Sequence, residues 1–411
     1  MLQAIVENNR ILSQFLSEFR SAFRNKAQFR HFQHYVIALM IYLGNKNLSG
    51  LSRAIPDGRH ESSLYRFLSQ AKWDAEQVKQ IRLEQLNRRA RRALAKQQRN
   101  GKKATVYLII DDSLVEKSGK TMAGVAKHRS HKDGNKLVLG HVWVSAQLVV
   151  AGSSYPLDWA LYRRKIECEA NDVAFRSKPE IARAIIEQYQ PLPDTQTIVL
   201  TDSWYADKHL IKLCRKREFH YIGAVKANRK LKAGNHNQQV QQWRAVLPKS
   251  AFERVKLKDE HYKVWTATGQ LSCGQEVKAL VNRRIGVKKW RYLVCTNTSL
   301  DAQSILATYF VRWEVENFYR AAKFILGWSD YQMRKLEAIE NHVLLMMVTH
   351  AYLELQRQDA LENATEHDAH FTLGDLQREH QRLAQRSTIA LVFSLTQQGL
   401  GLDDIYERLA A

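Results

Sequence analysis

The pattern of apolar and polar positions divides the chain into blocks of different periodicity. From residue 1 to about 100 the apolar positions recur at helical spacing. "FQHYVIALMIYLG" is an apolar stretch ending at Gly44, where a helix is expected to stop. "NLSGLSRAIPDGRHESSLYRFLSQ" predicts a short helix, a turn at Pro56-Asp57-Gly58 and a second helix from about Glu61. That is a helix-turn-helix in outline, although an ordinary helical hairpin reads the same way. "EQLNRRARRALAKQQRNGKK" closes the block as a basic helix and a linker.

At residue 105 the period changes. "TVYLIIDD" is a β-branched apolar run that stops at two aspartates. A polar loop with glycines follows, then "KLVLGHVWVSAQLVV" and "YPLDWALYRR" as second and third strands. "KPEIARAIIEQYQ" has helical spacing, "QTIVLTD" is a buried strand, "ADKHLIKLCRKR" a helix and "HYIGAVK" a fifth strand. Three adjacent strands followed by strands alternating with helices predict a mixed α/β sheet with helices on its faces. This is the order of the ribonuclease H fold.

After Lys226 the stretch "ANRKLKAGNHNQQVQQW" reads as polar and irregular. From about Phe252 to Asn297 short runs alternate like antiparallel strands, and helical spacing returns at "AQSILATYFVRWEVENFYRAAKFIL". The expected organisation is therefore a helical region over 1–100 and the first part of the mixed-sheet core over 101–226. A β-rich insertion over 227–298, a core helix over 299–330 and a C-terminal helical region over 331–411 complete it.

Charge sharpens the picture. Lys and Arg number 63 against 41 Asp and Glu, a formal net charge of +22 distributed along the chain. Such an excess points to a polyanion partner, above all nucleic acid. No run of about 20 apolar residues is present to span a membrane, and the first residues lack the apolar core of a signal peptide. Cys168, Cys214, Cys273 and Cys295 form no C-x-x-C pair, which argues against a structural zinc and a disulfide framework and fits a reducing, cytoplasmic location.

Asp111 and Asp112 end the first predicted strand and Asp202 ends the fourth. In a sheet of this order those strands are neighbours, and their C-terminal ends are where α/β sheets carry their sites. Two carboxylates close together repel and favour a hard divalent cation between them, magnesium or manganese. Alternatively each aspartate is only a turn or helix-cap residue, as expected for Asp207.

In "YFVRWEVENFYRAAK" the offsets of 3, 7 and 14 from Tyr309 fall near about 300°, 340° and 320° around one helix. Arg312, Glu316 and Lys323 thus share a stripe with Tyr309, bordered by Trp313 and Arg320. Glu316 is placed to supply a third carboxylate, or else to form an i,i+4 ion pair with Arg312 or Arg320.

The spacing Y-x2-R-x3-E-x6-K at Tyr309, Arg312, Glu316 and Lys323 resembles the signature of DDE transposases of cut-and-paste bacterial insertion sequences, the Y-R-E-K group. The resemblance runs from about Thr105 to Lys323. It implies a catalytic triad of Asp111, Asp202 and Glu316 holding two magnesium ions, with manganese as substitute. Asp111 is preferred to Asp112 because the family shows Asp, any residue, then Ser or Thr.

It further implies phosphate contacts from Tyr309, Arg312, Arg320 and Lys323, and hairpin DNA ends. A flipped base would stack on an insertion tryptophan, Trp265 or Trp290. Ser62, Tyr65 and Arg66 would read the terminal inverted repeats, and His128, Arg129 and Lys132 would hold target or flanking DNA or else be loose surface. The partners implied are double-stranded element ends and target DNA, bound by a homodimer. A ribonuclease H-like, structure-selective nuclease and a non-catalytic DNA-binding derivative are the other readings.

Overall fold

In the computed structural model of the chain, residues 5–6, 9–55, 59–97, 103–130, 134, 136–234, 236–363 and 371–410 are described. The predicted turn at Pro56-Asp57-Gly58, Lys132 and the linker after Gln97 lie outside the described residues. The chain forms two compact units. One comprises Met1–Ala90, Leu114–His141 and Phe318–Ala411, the other Arg91–Ser113 and Val142–Asn317.

The second unit is built on a mixed sheet. In β1 (Ala104–Glu116), Val106, Leu108, Ile109 and Ile110 are buried. A strand apolar on both faces belongs in the middle of a covered sheet, and truncating one such residue to Ala costs about 2–5 kcal/mol. β5 (Thr195–Thr201) runs parallel to β1, in register from Ala104 opposite Thr195 to Ile110 opposite Thr201. β6 (His220–Ala224) adds in parallel to β5. On the other side of β1 lies β3 (Lys136–Val150), joined antiparallel to β4 (Ser153–Tyr162). The order β4-β3-β1-β5-β6 is that of the ribonuclease H fold.

Two helices, α7 (Lys178–Gln188) and α8 (Lys208–Lys216), follow the preceding helices α1 (Arg10–Ser17), α2 (Lys26–Ile41), α3 (Leu48–Arg53), α4 (Glu61–Ser69), α5 (Ala75–Gln97) and α6 (Lys165–Ala170) in chain order. α7 and α8 pack on each other and against β4 and β6.

The expected β-rich insertion is present and extends the same sheet. β9 (Glu253–Leu257), β10 (Glu260–Leu271), β11 (Glu276–Arg284) and β12 (Arg291–Cys295) pair antiparallel in succession. β12 returns antiparallel to β6, with Leu293 opposite Ala224. The stretch read as irregular contains a hairpin, β7 (Lys230–Ala233) and β8 (His236–Gln239), and helix α9 (Val240–Val246). Its residues are too polar to show a period, yet Gly234, at φ +57°, supplies the left-handed turn of the hairpin.

Three further expectations change. β1 does not end at Asp112 but runs to Glu116, because "SLVE" keeps the alternation, with Ser113 and Val115 buried. Its pairing with β5 stops at Ile110, so the aspartates lie where the parallel pair ends. The polar loop contains a strand, β2 (Ala126–Ser130), antiparallel to the start of β3, and carries His128 and Arg129. Finally, the predicted continuous helix is broken into α10 (Ala302–Phe310), a 3-10 turn (Val311–Trp313) and α11 (Glu314–Phe324). A 3-10 turn winds residues by about 120° each, so the single-helix stripe holds only in outline.

The first unit has a helical core. α12 (Leu336–Asn363) is buried on all sides from Asn341 to Glu354, as the centre of a helix enclosed by a helical core must be. It packs against α2 and α4, with Tyr35 Oη 2.8 Å from His342 Nδ1 and Asn341 Nδ2 donating to the Leu68 carbonyl at 2.8 Å. α13 (Leu373–Gln397) covers α2 and is followed by α14 (Leu402–Ala410). Among the described residues no helix is long and apolar enough to cross a membrane.

Candidate active site

The β1–β5 register brings Asp111 and Asp202 one residue beyond the last paired positions of neighbouring parallel strands. The end of β5 is braced from below. Tyr221 Oη lies 2.8 Å from Thr201 Oγ1, which donates to the Asp202 carbonyl at 3.0 Å. Gly223 is required beside this pair, because a Cβ there would collide with the Tyr221 hydroxyl.

Burial pushes the Asp111 carboxyl up to about 7; Arg312 opposes the shift, and Asp202 and Asp112 add to it. Asp202 is raised too, first by burial, against the hydrogen bond from the Trp204 N–H to its Oδ1 at 2.8 Å. Two carboxyls held out of water beside each other form an electrostatic sink for positive charge.

The adjacent aspartate has a different environment. Asp112 Oδ1 accepts from Tyr205 Oη at 2.6 Å, and Lys178 Nζ lies 3.0 Å from its Oδ2. Lys178 is held at the first position of α7 by a capping box between Ser177 and Glu180. Asp112 is thus tied to α7 and to the loop after β5, whereas Asp111 faces Arg312.

Arg312 bridges two carboxylates. Its Nη1 is 2.8 Å from Asp111 Oδ2 and its Nη2 3.0 Å from Glu316 Oε1. Asp111, first among the attracting groups, holds the guanidinium above its usual range against the opposing effect of burial. Tyr309 is buried, its ring centroid 5.9 Å from the guanidinium carbon, and burial raises its hydroxyl.

Glu316 therefore does make the i,i+4 ion pair anticipated as its alternative role. Among the described residues no three His, Cys, Asp or Glu side chains are gathered so as to hold a metal ion. The expected three-carboxylate cage is not formed, because the guanidinium makes charge-assisted hydrogen bonds to both Asp111 and Glu316 and stands between them. The donor set remains oxygen-only and anionic, the kind suited to magnesium or manganese. Asp111 and Asp202 suit such an ion as a pair, while Glu316 is engaged by Arg312.

The other predicted contacts are dispersed. Lys323 belongs to the first unit, where its Nζ donates to the Leu114 carbonyl at 2.8 Å; Arg320 is exposed there. In the second unit, Trp265 on β10 is half-buried and stacked on Trp243, with centroids 5.7 Å apart. Trp290 packs against Phe252 and lies under Arg283, 4.7 Å from its ring centroid. In the first unit α3 and α4 form the predicted helix pair, with Leu64, Phe67 and Leu68 buried and Ser62 and Arg66 exposed. Tyr65 and Ser62 line a cleft of about 490 Å³ together with Asn47, His60 and Arg334.

Sequence reasoning missed Lys178, Tyr205 and Trp204. Lys178 and Tyr205 reach Asp112 only through the tertiary fold, and no spacing announces them. Trp204 carried a signal, a large aromatic two residues beyond a strand-end aspartate, and it is 57% exposed.

Residues 18–261 match the family of DDE superfamily endonucleases. Residues 165–379 match the transposase DDE domain, group 1. Each match covers more than half of the chain: the first includes Asp111 and Asp202, the second Asp202 and Glu316. The chain belongs to the DDE superfamily. Within it, the chain is a DDE transposase. It is similar to the "Probable transposase for insertion sequence element IS701" of Microchaete diplosiphon, 22% identical over 348 residues, covering 80% of this chain and 84% of that one.

Proposed function

We propose that this transposase binds the terminal inverted repeats of its own element, cleaves the DNA at their ends and joins those ends to target DNA. The observation that carries the proposal is the pairing of Asp111 and Asp202 at the ends of adjacent parallel strands, with Arg312 linking Asp111 to Glu316. Asp111, Asp202 and Glu316 are the residues that would hold divalent ions, magnesium or manganese, in a two-metal site. Such ions supply Lewis acidity at the scissile phosphate and lower the pKa of a bound nucleophile.

The chain's own residues orient the DNA. Arg312 is a fork donor that binds a phosphate as readily as a carboxylate. In this reading it leaves Asp111 and Glu316 for a backbone phosphate when DNA arrives. Tyr309 backs the guanidinium, and Lys323 and Arg320 add positive charge along the DNA path. Trp265 or Trp290 would stack a flipped base if the ends pass through hairpins. Ser62, Tyr65 and Arg66 on α4 would read base edges in the major groove. Two protomers would pair the two element ends.

The test is incubation of the protein with magnesium and DNA carrying the element's terminal repeats. Cleavage at the repeat ends, with hairpin or open products separated on a denaturing gel, is the expected result. Structure-selective nicking without sequence preference would point instead to a nuclease, and binding without cutting to a non-catalytic protein.

A further inference from the structure

Trp204 is an exposed indole directly beside one of the candidate catalytic carboxylates. Its backbone N–H donates to Asp202 Oδ1 at 2.8 Å, which fixes the turn and hence the position of the ring. The side chain is 57% exposed although the residues on either side of the turn, Thr201 and Tyr205, are fully buried. Leaving so large an apolar face in water is unfavourable, and no core contact requires it. Two ammonium groups attend the ring: Lys178 Nζ at 5.0 Å and Lys226 Nζ at 5.6 Å from its centroid. All of these residues belong to the second unit.

An aromatic face with flanking cations is the combination that binds an unpaired nucleotide: the ring stacks the base and the cations take the phosphates. A stacked base outcompetes an exposed lysine for the ring, and lysine stems are long and flexible enough to yield and follow the backbone. Lys178 also holds Asp112 at 3.0 Å, so of the two it is the less free to move, and Lys226 is the better phosphate contact. Trp243, Trp265 and Trp290 are all half-buried in ring or guanidinium stacks, and none adjoins the candidate catalytic aspartates in sequence.

We propose that Trp204 is a stacking platform for the unpaired base next to the scissile phosphate, with Lys226 gripping the adjoining phosphate. The inference rests on the transposase reading of this site, and it adds a positioning contact for single-stranded DNA at the point of cleavage.

The test uses the full chain and a duplex bearing the terminal repeat, ending in a three-nucleotide overhang. 2-Aminopurine is placed at the first unpaired position. In EDTA, wild-type protein and W204F should quench the probe. W204A should lose the quenching and bind the overhang about 10-fold less tightly, with affinity for the fully paired duplex unchanged. K226A should flatten the slope of log affinity against log salt by about one. Quenching and overhang affinity in W204A equal to wild type would overturn the inference.

Parallel cleavage assays in magnesium separate the two proposals. Wild-type cleavage with unaltered W204A quenching sinks the stacking role alone. Trp204-dependent quenching without any cleavage by wild-type protein sinks the catalytic reading alone. Absence of both DNA binding and cleavage in the wild type sinks both.

Discussion

Arg312 Nη1 lies 2.8 Å from Asp111 Oδ2 while its Nη2 lies 3.0 Å from Glu316 Oε1, so one guanidinium holds two of the carboxylates that the proposed reading assigns to divalent ions. In the proposed two-metal reading, the guanidinium and a bound ion would compete for the same oxygens. In that reading Arg312 would exchange carboxylate for phosphate when DNA binds, an exchange that Arg312 variants can test.

R312A should bind manganese more tightly than wild type, by about 10-fold, because a rival cation has gone. The same variant should cleave element ends at least about 100-fold more slowly, because the fork donor for phosphate has gone too. R312K, which keeps the charge but not the fork, should fall between. Manganese affinity read by paramagnetic resonance and cleavage read on gels check the two halves separately.

The two neighbouring aspartates should separate by mutation. D111N should abolish cleavage, by about 10³-fold or more, while DNA binding survives. D112N should leave cleavage within about 10-fold of wild type, since Asp112 serves Lys178 and Tyr205. Equal loss in both variants would reverse the assignment of Asp111 over Asp112.

Base readout should reside in α4. R66A and Y65A should weaken binding to the terminal repeat by about 10-fold each, with little change on unrelated DNA of the same length. Arg66 is exposed, so its removal should leave the melting temperature nearly unchanged. A gel-shift competition between the two DNAs measures the ratio.

Acid should destabilise the first unit through its buried histidines. His141 Nε2 faces the Ala123 carbonyl at 2.9 Å and must donate, so Nδ1, 2.7 Å from the Tyr331 hydroxyl, accepts. Burial, first among the causes, lowers this imidazole to about 4. The unfolded chain therefore takes up a proton near pH 6.5 that the folded one refuses. Stability is full above pH 6.5 and falls as pH drops toward 4, by about 3 kcal/mol for this group. His31, His342 and His380, also lowered by burial, add in the same direction. Melting temperature should decline steadily from pH 6.5 to 4.5, and H141Q should shallow the decline.

Much of this arrangement was legible because it lies in strand periodicity. The apolar runs ending at Asp111 and Asp202 imply strands, and the β-β-β-α-β-α-β order implies that those two are neighbours. The structure then sets their register, with Ile110 opposite Thr201. What stayed hidden depends on contacts remote in sequence or on polar segments without a period. The hairpin at Gly234, strand β2 and the partners of Asp112 are of this kind. The helix through Tyr309 and Lys323 looked continuous because its apolar spacing is continuous. The 3-10 turn at Arg312 shows only in the backbone.

The measurement that bears most directly on the central claim is a manganese titration of the protein bound to a terminal-repeat duplex, followed by paramagnetic resonance. Two saturable ions per protomer in the wild type, with loss of at least one in each of D111N, D202N and E316Q, is the predicted result. A wild-type complex that takes up no saturable ion, or full occupancy in all three variants, would contradict it.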